Sequence, residues 1–434
     1  MNDKKRTVGL MGAVSIGIGG MVGGGIFAVL GEAVSIAHGS TAIAFFIAGI
    51  VALLTSIAYA KLSAKYKNRG GTVFFIDTAF GNNLASGSLN LMLWLSYLVT
   101  IALYAVAFAS YAQTFFHGNT SLLLRHILIS AAILLPTAVN LVSASFVSKS
   151  ETLIVVLKLI LLIVIIAFSS PYVKLERIAP AHWGSFTSIV AAGMVIFVAY
   201  EGFELIANSA EDIKKPERNL PAAFFISVLL VIALYMLIAL VTVSTVSESK
   251  ILIVKDYALA VAAKPALGQT GFVIVSVAAL LATFSAINAT IYGNARLGYI
   301  MAKNGQLPEQ FDKQVWDDPV MGVVITAVIS LVIANTINLT EIAIIGSASF
   351  LLVFALVNAS AFKLRKEIGG KPWVYIIALL ACAAALVTLL IHTSQNNFRA
   401  ILVFFSFIAV SIIFELTYGR MLRGHFLGRR YHSP

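Results

Sequence analysis

A chain of 434 residues that is 59% hydrophobic and 11% charged, with a mean hydropathy of +0.94, lies far from the roughly 25% charged residues of a soluble domain. One cysteine, Cys382, excludes an internal disulfide, and the net charge of +11 raises nucleic-acid binding as a reading to be tested by where the charges fall.

Apolar runs of the ~20 residues needed to cross a bilayer recur along the whole chain. Twelve spans are read, at about 8–36, 40–60, 86–116, 122–142, 149–170, 186–206, 219–245, 271–299, 321–337, 341–361, 373–393 and 398–417. None alternates with period two for long, which argues against a membrane β-barrel. The opening "MNDKKRTVGL" has the basic start of a leader. The Gly-rich apolar segment behind it is followed by eleven more, so it is read as the first span.

That first span places nine glycines between Gly9 and Gly31, each costing about 1 kcal/mol in a helix interior. Close helix packing is expected to account for one or two of them, but not for "GGMVGGG", so a break is expected there. The fifth span carries Lys158 alone among apolar residues from Leu153 to Phe168. It lies roughly 13 Å along the helix axis from Lys149, near the middle of a ~30 Å core. Glu151 shares its face but sits about 10 Å away. An ionisable group at such a depth marks an ion or proton route.

The sixth span is interrupted by Glu201, Gly202 and Glu204. Interrupted helices at corresponding places in two halves point to a transporter's central site, here with 8–170 and 186–361 as inverted repeats and 373–417 as two added helices. Freed N–H groups at a half-helix start favour an anion and freed carbonyls a cation; together they suit a zwitterionic amino acid. The polar connections 61–85, 207–220, 246–270 and 300–320 are too short for a soluble domain, and 246–270 reads as a partly helical outer loop. With both termini in the cytoplasm, 22 Lys and Arg fall on inner segments and 7 on outer ones, with Lys158 completing the 30. The basicity is thus topology, not nucleic-acid recognition.

Three motifs carry a resemblance. "GGGIF" (Gly23–Phe27), "GFELIANSAEDIKKPERNLPAA" (202–223) and "GNARLGYIMAKNGQLP" (293–308) resemble, in order, segments of the amino acid–polyamine–organocation transporter family. The resemblance implies an all-α membrane protein with a leucine-transporter-like 5+5 repeat plus two helices, working by alternating access as a single domain. It implies a substrate carboxylate on the amides of Gly23, Gly24, Gly25 and Ile26. The substrate ammonium would meet carbonyls at Met21, Phe197, Ala199 and Tyr200, and Gly202 is counted with the substrate-binding residues. Phe197, at the expected break, is the candidate gate over the ligand. In sodium-coupled relatives of this fold an ion bridges the first and eighth helices beside the fifth. Lys158 looks like a tethered substitute, bonded to Gly19 and to Thr283 or Ser285, which lie about 200° apart and cannot both face it.

The expectation is a proton-coupled amino acid symporter of broad specificity in the cell membrane, a monomer with no cofactor and no metal. An exchanger in which Lys158 stays charged is the alternative. An enzyme would need a polar catalytic cluster, and the spans hold none; no His/Cys/carboxylate set has metal-ligand spacing.

Overall fold

The computed structural model describes residues 6–68, 70–116, 121–142, 144–312 and 320–423; side chains at 142–152, 309, 312 and 419–423 lie outside that description. In chain order the helices are α1 (Leu10–Met21), α2 (Gly25–Ala37), α3 (Thr41–Lys65), α4 (Gly71–Phe80), α5 (Leu84–Gln113), α6 (Leu122–Val142), α7 (Ala144–Ser169), α8 (Phe186–Val195), α9 (Leu205–Asn208), α10 (Pro216–Thr245), α11 (Glu248–Ile253), α12 (Ala258–Ala262), α13 (Lys264–Lys303), α14 (Val320–Thr336), α15 (Leu339–Lys363), α16 (Arg365–Ile368), α17 (Pro372–Asn396) and α18 (Phe398–Arg423).

Among the described residues nine helices are long and apolar enough to cross a membrane, and two bent pairs raise the number to eleven. The remaining expected span, 321–337, is α14, with 17 residues at the lower end of the ~17–25 that a crossing takes. The chain is a multi-pass membrane protein. The bent pairs are the first and sixth apolar segments. α1 and α2 meet at 48°, and α8 meets the Phe197–Asn208 stretch at 50°. Within that stretch Phe197–Tyr200 form a 3-10 turn.

Local sequence explains the ends of several elements. Asn83 caps α5: its side chain accepts from the amides of Ala85 and Ser86, while Ser86 Oγ accepts from the Asn83 amide at 2.9 Å. Pro216 opens α10 at a position where a missing N–H costs nothing. The connection 61–85 is not merely polar, since its apolar "TVFFI" forms α4. The 246–270 region does contain short helices, α11 and α12, and α13 starts before the expected boundary with a kink at Gly268, φ 59°.

α5 is the spine. Of its most apolar stretch 89% is buried, against 28% for α6, α7, α17 and α18, so α5 is interior while those four turn most of their apolar surface outwards. α5 packs on α6, α13, α14, α15 and α18. Against it and α15 lie the two broken segments.

Candidate functional site

The first break spans Val22 to Gly24, and α2 then begins with no side-chain cap on its amides. A glycine run there has a second use that the sequence reading undervalued. A side chain at Gly20 would stand 2.6 Å from the Gly202 carbonyl oxygen, one at Gly25 would stand 2.8 Å from Ala199 Cα, and one at Gly23 would meet Ala286 at 2.8 Å. One at Gly24 would overlap the Tyr104 ring, and one at Gly17 would meet Ile206 at 2.7 Å. Packing therefore uses most of the run rather than one or two of its members: Gly20 and Gly25 lie on the backbone of the second broken segment, Gly17 on a side chain of it, Gly23 on α13 and Gly24 on α5. Gly202, with φ 114°, adopts a conformation that side chains rarely enter.

The second break ends α8 at Val195. Phe197, Val198, Ala199 and Tyr200 are all buried in the turn that follows. The Phe197 ring packs edge-on against Phe354 at 6.0 Å. Tyr200 donates to the Phe45 carbonyl at 2.8 Å and packs on Tyr235, ring centroids 5.3 Å apart.

Two of the expected carbonyls, those of Met21 and Ala199, come together. Tyr235, on α10, has its hydroxyl 2.6 Å from Met21 O and 3.2 Å from Ala199 O. A phenol has one proton and can serve one of these acceptors fully; an ammonium has three. The two broken segments thus present a pair of carbonyls suited to a primary amine, next to the uncapped start of α2 that carries Gly25 and Ile26, both buried.

Glu201 and Glu204 are 3% and 0% exposed. Glu204 accepts from the Gly202 amide at 2.8 Å and from Tyr97 at 3.0 Å; Glu201 accepts from Tyr104 at 3.3 Å. Glu204 therefore serves a backbone group freed by the break.

Lys158 is 5% exposed. Its helix α7 packs against α1, which holds Gly19, and against α13, which holds Thr283 and Ser285. Gly19 and Thr283 are buried and Ser285 is partly exposed. Thr283 gives its proton to Ala279 O at 2.7 Å within its own helix, which leaves its oxygen as an acceptor. The side chain of Glu151 lies outside the described residues.

Beyond the breaks, each end of this region is tied. The amides of Thr7 and Val8 both donate to Asp212 O at 3.0 Å, and the Lys214 amide donates to Val8 O at 2.8 Å. At the far end of α2, Glu32 pairs with Lys255 and accepts from Thr340 at 2.8 Å. Sequence reasoning missed Tyr235 and Tyr104. The available signal was a polar-tipped ring in the middle of an apolar span, which needs a partner just as a lysine does.

Comparison with known proteins adds to this geometry. The model of the amino acid permease family matches residues 8–414. An uncharacterized protein of Methanocaldococcus jannaschii is 33% identical, over 99% of both chains. The inner membrane transport protein YbaT of Escherichia coli is 34% identical, over 96% of this chain and 98% of its own length. The branched-chain amino acid permease BcaP of Bacillus subtilis is 23% identical, over 85% of this chain and 83% of its own.

Proposed function

Because the chain belongs to the amino acid permease family, and is a membrane transporter rather than an enzyme, we propose that it imports amino acids of several kinds by proton symport with alternating access. The observation that carries the substrate class is the convergence of Met21 O and Ala199 O, one from each broken segment, on a single hydroxyl. Those carbonyls take the substrate ammonium, and the amides of Gly23, Gly24, Gly25 and Ile26 take its carboxylate. The branched-chain permease among the relatives fits a zwitterionic substrate. Phe197, Tyr200 and Gly202 complete the surroundings, with Phe197 as the gate.

Lys158 carries the coupling. A lysine buried at mid-membrane is held charged only by acceptors, and the helices of Gly19, Thr283 and Ser285 lie against its own. Protonated, it bridges α1 to α13 and keeps the site assembled; loss of the proton to the cytoplasm frees α1 and the substrate. In this reading the termini are cytoplasmic, the protein sits in the cell membrane as a monomer, and 8–170 and 186–361 are inverted repeats.

Radiolabelled amino acid uptake in proteoliposomes, with and without an inward proton gradient between about pH 5 and 8, tests the proposal. Lys158→Ala is expected to abolish gradient-driven accumulation while sparing part of equilibrium binding, because the substrate ligands are backbone groups. An alanine variant that still accumulates with the wild-type pH profile removes Lys158 as the proton site. Wild-type accumulation indifferent to the gradient supports the exchanger instead.

A further inference from the structure

α15 reaches the second break with one side chain. In an unbroken helix the Val195 carbonyl would accept from the Ala199 amide, and the Val198 amide would donate to the Met194 carbonyl. Here the Ala199 amide turns instead to Ile196 O at 2.9 Å, which frees the Val195 carbonyl, and the Val198 amide bonds outside its own segment; both residues are buried. Ser347 on α15 serves the two at once: it donates to Val195 O at 2.7 Å and accepts from the Val198 amide at 2.9 Å. Its side chain is fully buried.

The approach is specific to this point of α15. At Gly346, the preceding residue, a Cβ would stand 3.1 Å from Val198 Cγ2, so that the Val198 side chain would have to give by a few tenths of an ångström. One and two turns further on, Phe350 packs on Tyr97 at 5.7 Å, and Phe354 packs on Phe197 at 6.0 Å and Phe203 at 5.2 Å. Positions 347, 350 and 354 share a helix face, so α15 lies along the second broken segment from its break to its carboxylates. Ser360, another buried hydroxyl on α15, donates instead to Leu356 O in its own helix.

We propose that Ser347 is a positioning residue for substrate recognition, a hydroxyl wedge that holds the second helix open and aims the Ala199 carbonyl at the ligand. It need not touch the substrate. The inference rests on the amino acid site proposed above, and it makes α15 the element whose position sets affinity: a shift of α15 pulls the wedge and lets the two orphaned groups bond locally. Without the wedge the Val198 amide and Val195 carbonyl relax towards each other, and Ala199 O turns from Met21 O.

The full-length protein in proteoliposomes, with radiolabelled L-alanine and L-leucine as probes, reads this out. Ser347→Ala is expected to raise KM about three- to tenfold, the worth of one or two buried hydrogen bonds, with maximal rate within about twofold. Amide hydrogen exchange over residues 195–200 should quicken, Ser347→Thr should restore both properties, and Ser360→Ala should change neither. An unchanged KM in Ser347→Ala, or a threonine variant as impaired as alanine, overturns the proposal. If Ser347→Ala yields no folded protein, Gly346→Ala replaces it. The added methyl presses on the Val198 side chain; a variant in which exchange over 195–200 quickens while KM stays unchanged overturns the proposal, and one in which the two rise together supports it. If the wild type takes up neither probe, the fault lies with the substrate reading, and exchange over 195–200 still judges the wedge: no quickening in Ser347→Ala overturns it.

Discussion

At the first break the chain offers only backbone: Val22 to Gly24 separate the two half-helices, α2 has no side-chain cap, and the glycines on either side lie against Gly202, Ala199 and Tyr104. At the second break side chains hold the freed groups, with Ser347 across Val195 and Val198 and Glu204 on the Gly202 amide. The difference divides labour. A break held by side chains from another helix keeps one shape, whereas one that owes its shape to close contact changes when its neighbour moves.

The largest effect that can test this contrast is expected from Gly24→Leu. A leucine there drives into the Tyr104 ring, and overpacking with backbone displacement should cost about 3 kcal/mol, the upper end of the usual range. Loss of monodisperse protein on size exclusion and a large fall in melting temperature are expected, rather than a folded protein that merely fails to bind. A well-folded variant without binding would return this glycine to a pure ligand role.

A smaller effect is expected at the side-chain-held break. Glu204→Ala strips an acceptor from both the Gly202 amide and Tyr97, about 1–3 kcal/mol for each buried donor left alone. Glu204→Gln keeps a carbonyl oxygen there and should lose much less. Equal melting temperatures for the two variants would mean that the carboxylate does not hold the break.

The smallest, and the one that joins the two breaks, is Tyr235→Phe. Without the hydroxyl, Met21 O and Ala199 O lose a donor in the empty protein, so its melting temperature should fall by the equivalent of about 1 kcal/mol. A substrate ammonium then meets carbonyls with no competitor, and the stabilisation produced by saturating amino acid should grow. A smaller ligand-induced shift would show instead that the hydroxyl itself grips the substrate.

The positions of both breaks were legible because each violates a strong rule of membrane helices: a run of glycines in one, carboxylates in an apolar stretch in the other. The burial of Lys158 was legible for the same reason. The partners were not. Gly20 and Gly25 owe their size to Gly202 and Ala199, far away in sequence, so a local cost looked like a purely functional signal. Ser347 was invisible because a membrane serine usually satisfies itself, as Ser227 does on Ala223 O at 2.7 Å and Thr283 on Ala279 O at 2.7 Å; its type carries no address. α4 was missed because charges flanking a short apolar run made the whole connection read as polar.

The bonds that tie Thr7–Val8 to Asp212–Lys214 run between amides and carbonyls. Almost any residue can supply those groups, so this clasp between the start of α1 and the end of the second broken segment leaves no mark in residue identity. Families can drift freely at these positions without losing it, and a comparison of sequences, however deep, would pass over it. Only proline at Thr7, Val8 or Lys214, which would have no N–H to give, writes its absence into the code.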